Sequence, residues 1–264
     1  FYMWGSSQAQ KYHMRWFEQH VPTDGSVKIT RIDMGLVGLS IAGPKSRAVL
    51  QALTDEDVSN AGFKFMDHRR FDVANVSALV NRVTYSGDLG YEIWVAPEYQ
   101  RRLYDGIMKA GVEHGIVHFG MRALLTMRLE KNFPTWYREL RPIYGPFEAG
   151  MDRFIDLTKN DFIGLEAARA EKASGGKLRR VSMVVEAGDA DVLGDEPIWH
   201  KGKVVGWVTS GGFAHTVNKS MAQGYIPKEL VGDDEFEIEI IGEMKKARIN
   251  HEPLFDPKGE KMRS

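Results

Sequence analysis

Apolar residues at helical spacing predict three long helices in the first half of the chain. They recur every three or four positions in the segments 6–20, 97–112 and 120–133. Ser6 or Ser7 can cap the first of these helices, and Pro44 is placed to open a shorter one.

Shorter apolar runs between these helices predict strands. They lie at about residues 27–33, 36–42, 70–75, 78–85 and 90–95. The order of strands and helices predicts an α+β fold, in which helices cover one face of an antiparallel sheet.

The carboxyl-terminal part of the chain has a different pattern, with short strands and tight turns. Its alternating apolar residues supply a core of their own: Val181, Met183, Val185, Ile198, Val205, Val208, Ile238 and Ile240. This pattern predicts a small all-β barrel or sandwich. Because the polar segment "EKASGGK" at 171–177 resembles a linker, we divide the chain into a region at 1–155, a linker at 156–177 and a domain at 178–264.

Composition narrows the possible functions. The 264 residues include 35 basic and 36 acidic side chains without a long run of one sign, which does not favour a nucleic-acid-binding surface. The absence of cysteine excludes disulfides, thiolate metal sites and cysteine nucleophiles. No apolar run approaches the roughly 20 residues that span a bilayer, so we expect no membrane partner.

Familiar nucleotide and metal motifs are missing from the sequence. There is no GxxxxGK[ST] phosphate loop, and no GxGxxG lies between a strand and a helix. His114 and His118 are four positions apart, but they lie near a glycine turn and without a third candidate ligand nearby, so we predict no metal site.

Glu92 is the most informative single residue. In "VTYSGDLGYEIWV", strand alternation places Tyr91, Ile93 and Val95 on one face, and Glu92 with Trp94 on the other. The second face is either a solvated sheet surface or the wall of a pocket. In a pocket, the carboxylate can accept two parallel N–H hydrogen bonds from an amino-substituted heterocycle, and Trp94 and Tyr85 can supply stacking walls.

A second cluster combines aromatic residues, prolines and charges without periodicity. It reads "NFPTWYRELRPIYGPFEAG" at residues 132–150. Such a segment is typical of an ordered loop, which either borders a site or packs against the core.

Several motifs together resemble the aminomethyltransferase (glycine-cleavage T-protein) family, and the resemblance covers essentially the whole chain. They are, in order, "IAGPKSRAVLQALTDEDVSN", "YSGDLGYE", "TMRLEKNF", "PFEAGMDRF", "DFIGLEAA", "GKVVGWVTSG" and "KSMAQGYIP". The motifs "GDLG" and "WYRELRPIYGPFEAG" are more similar to the C-terminal, tetrahydrofolate-binding half of dimethylglycine and sarcosine dehydrogenases. The chain departs from glycine-cleavage T-proteins after Ala123, where Leu124-Leu125 replaces an Arg-Asp pair whose Arg contacts folate.

The resemblance implies a set of tetrahydrofolate-binding residues but no catalytic residue. The implied set is Tyr85, Glu92, Ile93, Trp94 and Arg153. Glu92 would hold the amino and ring N–H groups of the pteridine. Arg153 takes the place of a folate-contacting Tyr, and its charge suits the carboxylates of the folate tail. Arg128 and Glu130 match the family's "LRLE" and are expected to be structural, as an ion pair or helix anchor.

The resemblance implies capture of a one-carbon unit from an N-methyl amine, such as dimethylglycine or sarcosine, as 5,10-methylenetetrahydrofolate. The resemblance also implies that the amine is oxidised with FAD in a domain upstream of Phe1. Independently, the chain begins within an apolar run, so we expect it to be part of a longer polypeptide. A folate-dependent demethylase for an O- or S-methyl donor and a non-catalytic folate-binding module remain alternatives. The expected location is cytoplasmic, or the mitochondrial matrix in a eukaryote.

Overall fold

The computed structural model describes residues 1–6 and 9–264, and its amino-terminal part contains a four-stranded antiparallel sheet. Its strands are β1 (Val37–Ala42), β2 (His68–Val73), β3 (Val76–Asn81) and β4 (Gly90–Val95). They lie in the order β1-β4-β3-β2.

Four α-helices lie before, between or after these strands in the described part of the sequence. They are α1 (Gln10–His20), α2 (Ser46–Gln51), α3 (Gln100–Gly111) and α4 (Met121–Glu130). Helices α2 and α3 share one apolar cluster with the buried residues of the sheet, through Leu50, Leu103 and Ile107. This arrangement confirms the predicted α+β fold with helices on one face of the sheet. Helix α4 instead packs on strands of the carboxyl-terminal part.

One predicted strand is wrong, and Ser6, one of the two predicted caps, does not cap the first helix. Residues 27–32 form neither strand nor helix, although Val27, Ile29 and Ile32 are apolar. Among the described residues, β1 is an edge strand that pairs with β4, and no further strand lies beside it to pair with this segment. Helix α1 begins at Gln10, and its preceding residue, Ala9, makes no capping side-chain bond. Ser7, the alternative cap, lies outside the described residues.

The carboxyl-terminal part is a closed six-stranded barrel, so the barrel alternative is confirmed and the sandwich is not observed. Its strands are β5 (Leu178–Val185), β6 (Pro197–His200), β7 (Lys203–Ala214), β8 (Lys219–Pro227), β9 (Phe236–Ile240) and β10 (Glu243–Asn250). They follow one another around the barrel in the order β10-β5-β8-β7-β6-β9. All eight apolar residues proposed for its core are buried or pack against the buried cluster.

The segment between the sheet and the barrel is ordered. Helix α5 (Leu165–Ser174) lies within it, and a short helix, α6 (Glu260–Arg263), lies near the carboxyl-terminal end of the sequence. Glu148 accepts hydrogen bonds from the backbone N–H groups of Lys177 and Leu178, at 2.7 and 3.0 Å. The proposed linker is therefore tied to the preceding loop, and the division into domains stays a prediction.

Within residues 1–6 and 9–264, no helix combines the length and the apolar character needed to cross a membrane.

Candidate ligand-binding site

Strand β4 presents two chemically different faces. Tyr91, Ile93 and Val95 are 0, 0 and 1 % exposed and belong to the apolar core under the helices. Glu92 and Trp94 lie on the opposite face and are half-buried. The faces are those that the alternation predicts. Since the Ile93 side chain is inside the core, a ligand on the open face can meet this residue only through its backbone.

A row of polar side chains crosses the open face at the level of Glu92. Ser40 and Asn81 lie directly opposite Glu92 on the neighbouring strands, and His68 lies opposite Asn81. Directly paired residues of an antiparallel sheet share a face, so these four side chains are neighbours. The Nδ1 atom of His68 is hydrogen-bonded to Oδ1 of Asn81.

A second row, beside the first, is dominated by Trp94. Gly38 is its neighbour on β1, and a Cβ atom on Gly38 would lie 2.7 Å from the indole ring. The ring of Trp4 packs on the ring of Trp94, with centroids 4.3 Å apart. The ring centroids of Tyr2 and His68 are 5.7 Å apart. Residues 1–6 therefore bring additional aromatic rings to the open face.

The carboxylate of Glu92 keeps unused hydrogen-bonding capacity. Its Oε2 atom accepts a long hydrogen bond, 3.4 Å, from Nε1 of Trp94. Among the residues that the structure describes, this is the one hydrogen bond to the carboxylate, so Oε1 can still accept bonds from a ligand.

Tyr85 lies in the turn that precedes β4. Its hydroxyl donates a hydrogen bond to the backbone O of Pro134 at 3.2 Å, and its ring is stacked on Phe133 with centroids 6.3 Å apart. Burial raises the pKa of the Tyr85 hydroxyl. The side chain is thus held against the loop at 132–150.

The glycines of this turn are required by its geometry. Gly87 has a φ of +86°, and a Cβ atom there would approach Cγ of Lys131 to 2.9 Å. At Gly90 a Cβ atom would lie 3.2 Å from the backbone O of Ile41. A left-handed turn and a close strand neighbour therefore both favour glycine here.

Arg153 is placed differently from the other predicted binding residues. It is exposed in a short turn at Asp152–Phe154, with its guanidinium 4.6 Å from the centre of the Phe154 ring. In the described part of the chain it makes no hydrogen bond to Tyr85, Glu92 or Trp94. Its role toward the carboxylates of the folate tail stays a prediction.

The loop at 132–150 packs against the barrel through a residue that the sequence analysis missed. Arg128 forms a buried ion pair with Glu139, with 3.0 Å between Nη1 and Oε2. Glu130 accepts the backbone N–H of Thr216 at 2.8 Å. The expected structural roles of Arg128 and Glu130 fit these contacts. The sequence does show Glu139 as an acidic residue within an aromatic loop. It does not show which residues bind the carboxylate.

His118 is engaged by a tyrosine rather than by His114, since its Nε2 atom lies 2.8 Å from the hydroxyl of Tyr104. Over the described ranges, 1–6 and 9–264, no three His, Asp or Glu side chains come together in a metal-binding group.

Both the amino-terminal and the carboxyl-terminal part of the chain match known protein families. Residues 1–159 match the family described as "GCVT N-terminal domain", and residues 179–256 match "Glycine cleavage T-protein C-terminal barrel domain". Together with the sheet, the barrel and the open face that carries Glu92 and Trp94, these matches define a protein of the aminomethyltransferase type. The chain belongs to the glycine-cleavage T-protein family.

Relatives with this sequence pattern include much longer enzymes. Human mitochondrial dimethylglycine dehydrogenase is 40% identical over 252 residues, which are 94% of this chain and 29% of that protein. Mouse mitochondrial sarcosine dehydrogenase is 34% identical over 88% of this chain and 26% of its own length. The chain thus spans less than a third of these relatives.

A shorter relative matches this chain by sequence, and a solved structure matches it by fold. An aminomethyltransferase of Desulfitobacterium hafniense (strain DSM 10664 / DCB-2) is 35% identical over 80% of this chain and 57% of its own length. The crystal structure of glycine cleavage system aminomethyltransferase T from Bartonella henselae superimposes with a TM-score of 0.82. It covers 96% of this chain and 68% of that one, at 19% identity, and therefore establishes the fold alone.

Proposed function

We propose that this chain binds tetrahydrofolate and captures a one-carbon unit from an N-methyl amine as 5,10-methylenetetrahydrofolate. The observation that carries the proposal is the position of Glu92, a half-buried carboxylate on the open face of the sheet, beside the ring of Trp94 on which Trp4 packs. Membership in the glycine-cleavage T-protein family supports the same function.

The hydrogen-bond acceptors on the open face suit the N–H groups of a pteridine ring. A pteridine presents an amino group and a ring N–H side by side, and a carboxylate can accept the two in parallel, one on each oxygen. In the described part of the chain, Oε1 of Glu92 has no hydrogen-bond partner and Oε2 accepts one long bond of 3.4 Å from Trp94, so both oxygens keep acceptor capacity. The rings of Trp94 and Tyr85 supply flat apolar surfaces, as a heteroaromatic ligand requires.

The proposed contribution of the protein is positioning and exclusion of water. Bound tetrahydrofolate supplies the two nitrogens, N5 and N10, that take up the one-carbon unit. Glu92 fixes the orientation of the pteridine, and the aromatic side chains displace water around it. Holding the acceptor in place favours capture over hydrolysis to formaldehyde. No general acid or base in this chain is proposed.

We further propose a methylated amine, such as dimethylglycine or sarcosine, as the source of the one-carbon unit. The relatives named for these two amines support that substrate class. The amine would be oxidised by an FAD-dependent part that lies outside residues 1–264. Arg153, with its exposed guanidinium, is the candidate partner for the carboxylates of the folate tail.

Isothermal titration of the full-length protein with tetrahydrofolate tests the proposal. We expect saturable binding, together with a rise in melting temperature, because a ligand that binds the native state stabilises it. A folded protein that shows neither heat of binding nor a thermal shift at saturating tetrahydrofolate would refute the function. Release of free formaldehyde during turnover of the methylated amine, undiminished by tetrahydrofolate, would refute the capture step.

A further inference from the structure

Glu139 is a fully buried carboxylate at the junction of the loop and the barrel. Its side chain is 0 % exposed, although it lies in a loop rich in charged residues. A buried carboxylate is costly unless several donors satisfy it. Its contacts therefore show what holds the loop in place.

The four donors to this carboxylate come from three different parts of the chain. Arg128 of α4 and the backbone N–H of Thr135 donate to Oε2, at 3.0 and 2.8 Å. Thr209 and Ser210 of β7 both donate to Oε1, the first at 2.6 Å. The barrel also reaches the backbone, since the hydroxyl of Tyr225 donates to the O atom of Glu139 at 2.7 Å.

A second contact between barrel and loop supports the first. Arg180 of β5 donates to Oδ1 of Asn132 at 2.8 Å and to Oε1 of Gln223 at 3.1 Å. This contact is partly buried, and desolvation lowers the pKa of Arg180. Both the start and the middle of the loop are thus fixed from the barrel.

A single peptide group connects Glu139 to Tyr85. The N–H of Thr135 donates to Glu139, and the C=O of Pro134, on the other side of the same peptide bond, accepts from the hydroxyl of Tyr85. A peptide group is planar and rigid, so its N–H and C=O cannot reorient independently. A shift of Glu139 therefore tilts the carbonyl that holds Tyr85.

We propose that Glu139 is a positioning residue through which the barrel sets the orientation of Tyr85 in the ligand site. The connection runs from Thr209 and Ser210 to the Glu139 carboxylate, then through the Pro134–Thr135 peptide group to the Tyr85 hydroxyl. The inference rests on the proposed function, since it assigns Tyr85 to the wall of the tetrahydrofolate site.

Ser210→Ala tests the connection from the barrel side. It removes one donor to Glu139 but keeps the Arg128 ion pair, whereas a change of Glu139 itself leaves a buried charge and can prevent folding. Ser220→Ala is the matched control, because Ser220 is 8 % exposed where Ser210 is 7 %. The hydroxyl of Ser220 donates to Asp191, away from the loop.

The first readout does not require a ligand. We expect Ser210→Ala to accelerate amide hydrogen exchange in the peptides covering 84–92 and 132–140, and Ser220→Ala to leave both unchanged. Unchanged exchange at 84–92 in Ser210→Ala would overturn the proposal, whether or not the protein binds folate.

The second readout is the affinity for tetrahydrofolate in the full-length protein. We expect Ser210→Ala to weaken binding about three- to tenfold, the size of one ordinary hydrogen bond. In a Tyr85→Phe background, which lacks the hydroxyl contact to Pro134, the same change should have little effect. An equal loss in both backgrounds, or a loss no larger than that in Ser220→Ala, would contradict the connection through Tyr85. Failure of the wild-type protein to bind would refute the proposed function instead.

Discussion

At the scale of single residues, strand β4 separates the core from the site by alternation alone. Tyr91, Ile93 and Val95 are buried under the helices, and Glu92 and Trp94 face away from them. This division was predictable because the side-chain period of a strand is fixed at two. The neighbours of Glu92 were not predictable, because Ser40 and Asn81 come together only through the register of three strands.

Glu92→Gln is expected to weaken tetrahydrofolate binding much more than it destabilises the fold. The substitution replaces one acceptor oxygen by an NH₂ donor, which faces the N–H groups of the pteridine. The expected loss is about 1.5–3 kcal/mol of binding free energy, or about 10- to 150-fold in Kd. Titration calorimetry of the full-length variant measures it.

The control for that variant is Glu98→Gln, an identical change in the exposed turn before α3. It should leave both folate affinity and stability unchanged. Equal affinity of Glu92→Gln and the wild-type protein would assign Glu92 to an ordinary solvated sheet surface.

Gly38→Ala is expected to destabilise the sheet and move the Trp94 ring. The new methyl group would lie 2.7 Å from the indole, so either the ring or the strand must shift. Overpacking of this kind costs about 1–3 kcal/mol. Urea unfolding and tryptophan fluorescence report the two effects.

Gly232→Ala provides the comparison for this overpacking, since a Cβ atom at Gly232 meets no other atom within 4 Å. If both alanine variants unfold at the same urea concentration, Trp94 does not pack on Gly38 as described.

At the scale of elements, the sequence predicted which segments are helical better than it predicted what they pack against. The helix predicted at 120–133 is present as α4, but it contacts the barrel rather than the first sheet. Residues 27–33 have strand-like composition without a pairing strand, so their apolar side chains remain partly exposed. Propensity is local, whereas pairing and packing partners are set by distant segments.

Arg128→Met is expected to destabilise the protein by about 3–5 kcal/mol, because it leaves the buried Glu139 carboxylate without its counter-ion. The side chains of Arg128 and Glu139, which form this ion pair, are 2 % and 0 % exposed. Arg101→Met breaks an exposed pair with Asp105 and should leave the unfolding free energy nearly unchanged. Similar unfolding midpoints for the two variants in urea would argue against a buried pair at Arg128.

At the scale of the whole molecule, the segment after the last barrel strand returns to the end of α4. Lys131, just after α4, forms a buried ion pair with Asp256 at 2.9 Å, and the backbone N–H of Phe255 donates to the backbone O of Glu130. Sequence analysis could not foresee this contact, since its partners are 125 residues apart.

Asp256→Asn is expected to lower stability at neutral pH by about 1.5–3 kcal/mol, the contribution of hydrogen bonds to a charged group. Burial opposes ionisation of Asp256, but hydrogen bonds from Lys131 and nearby backbone N–H groups outweigh it and lower its pKa. A lowered pKa stabilises the fold above the pKa of the unfolded chain, about 3.9 for Asp. This stabilisation is lost as pH falls through the folded value.

The gap in unfolding free energy between the wild-type protein and Asp256→Asn should therefore be constant near neutrality and close below about pH 4. Asp55→Asn, at an exposed position, should show no such gap. A gap that persisted unchanged into strong acid would mean that the Asp256 charge does not contribute to stability.

Limited trypsin digestion tests the proposed linker. We expect the first cuts after Lys172 or Lys177, which are exposed, rather than after Arg179, which lies in β5 and donates to the backbone of Phe147. Two compact fragments should result, as expected of separate domains. Early cutting inside 80–130 would instead place the boundary elsewhere.

The burial of Glu139 has a consequence for recombining this protein with its relatives. A chimera with its crossover at 171–177 would keep Glu139 from one parent and take the residues at 209 and 210 from the other. If the second parent lacked hydroxyl groups there, Oε1 of Glu139 would lose both of its donors, although each half of the hybrid came from a stable protein. An exchange that keeps these hydrogen bonds must therefore transfer the barrel together with the loop at 132–150. Transfer of residues 178–264 alone would separate Glu139 from its donors.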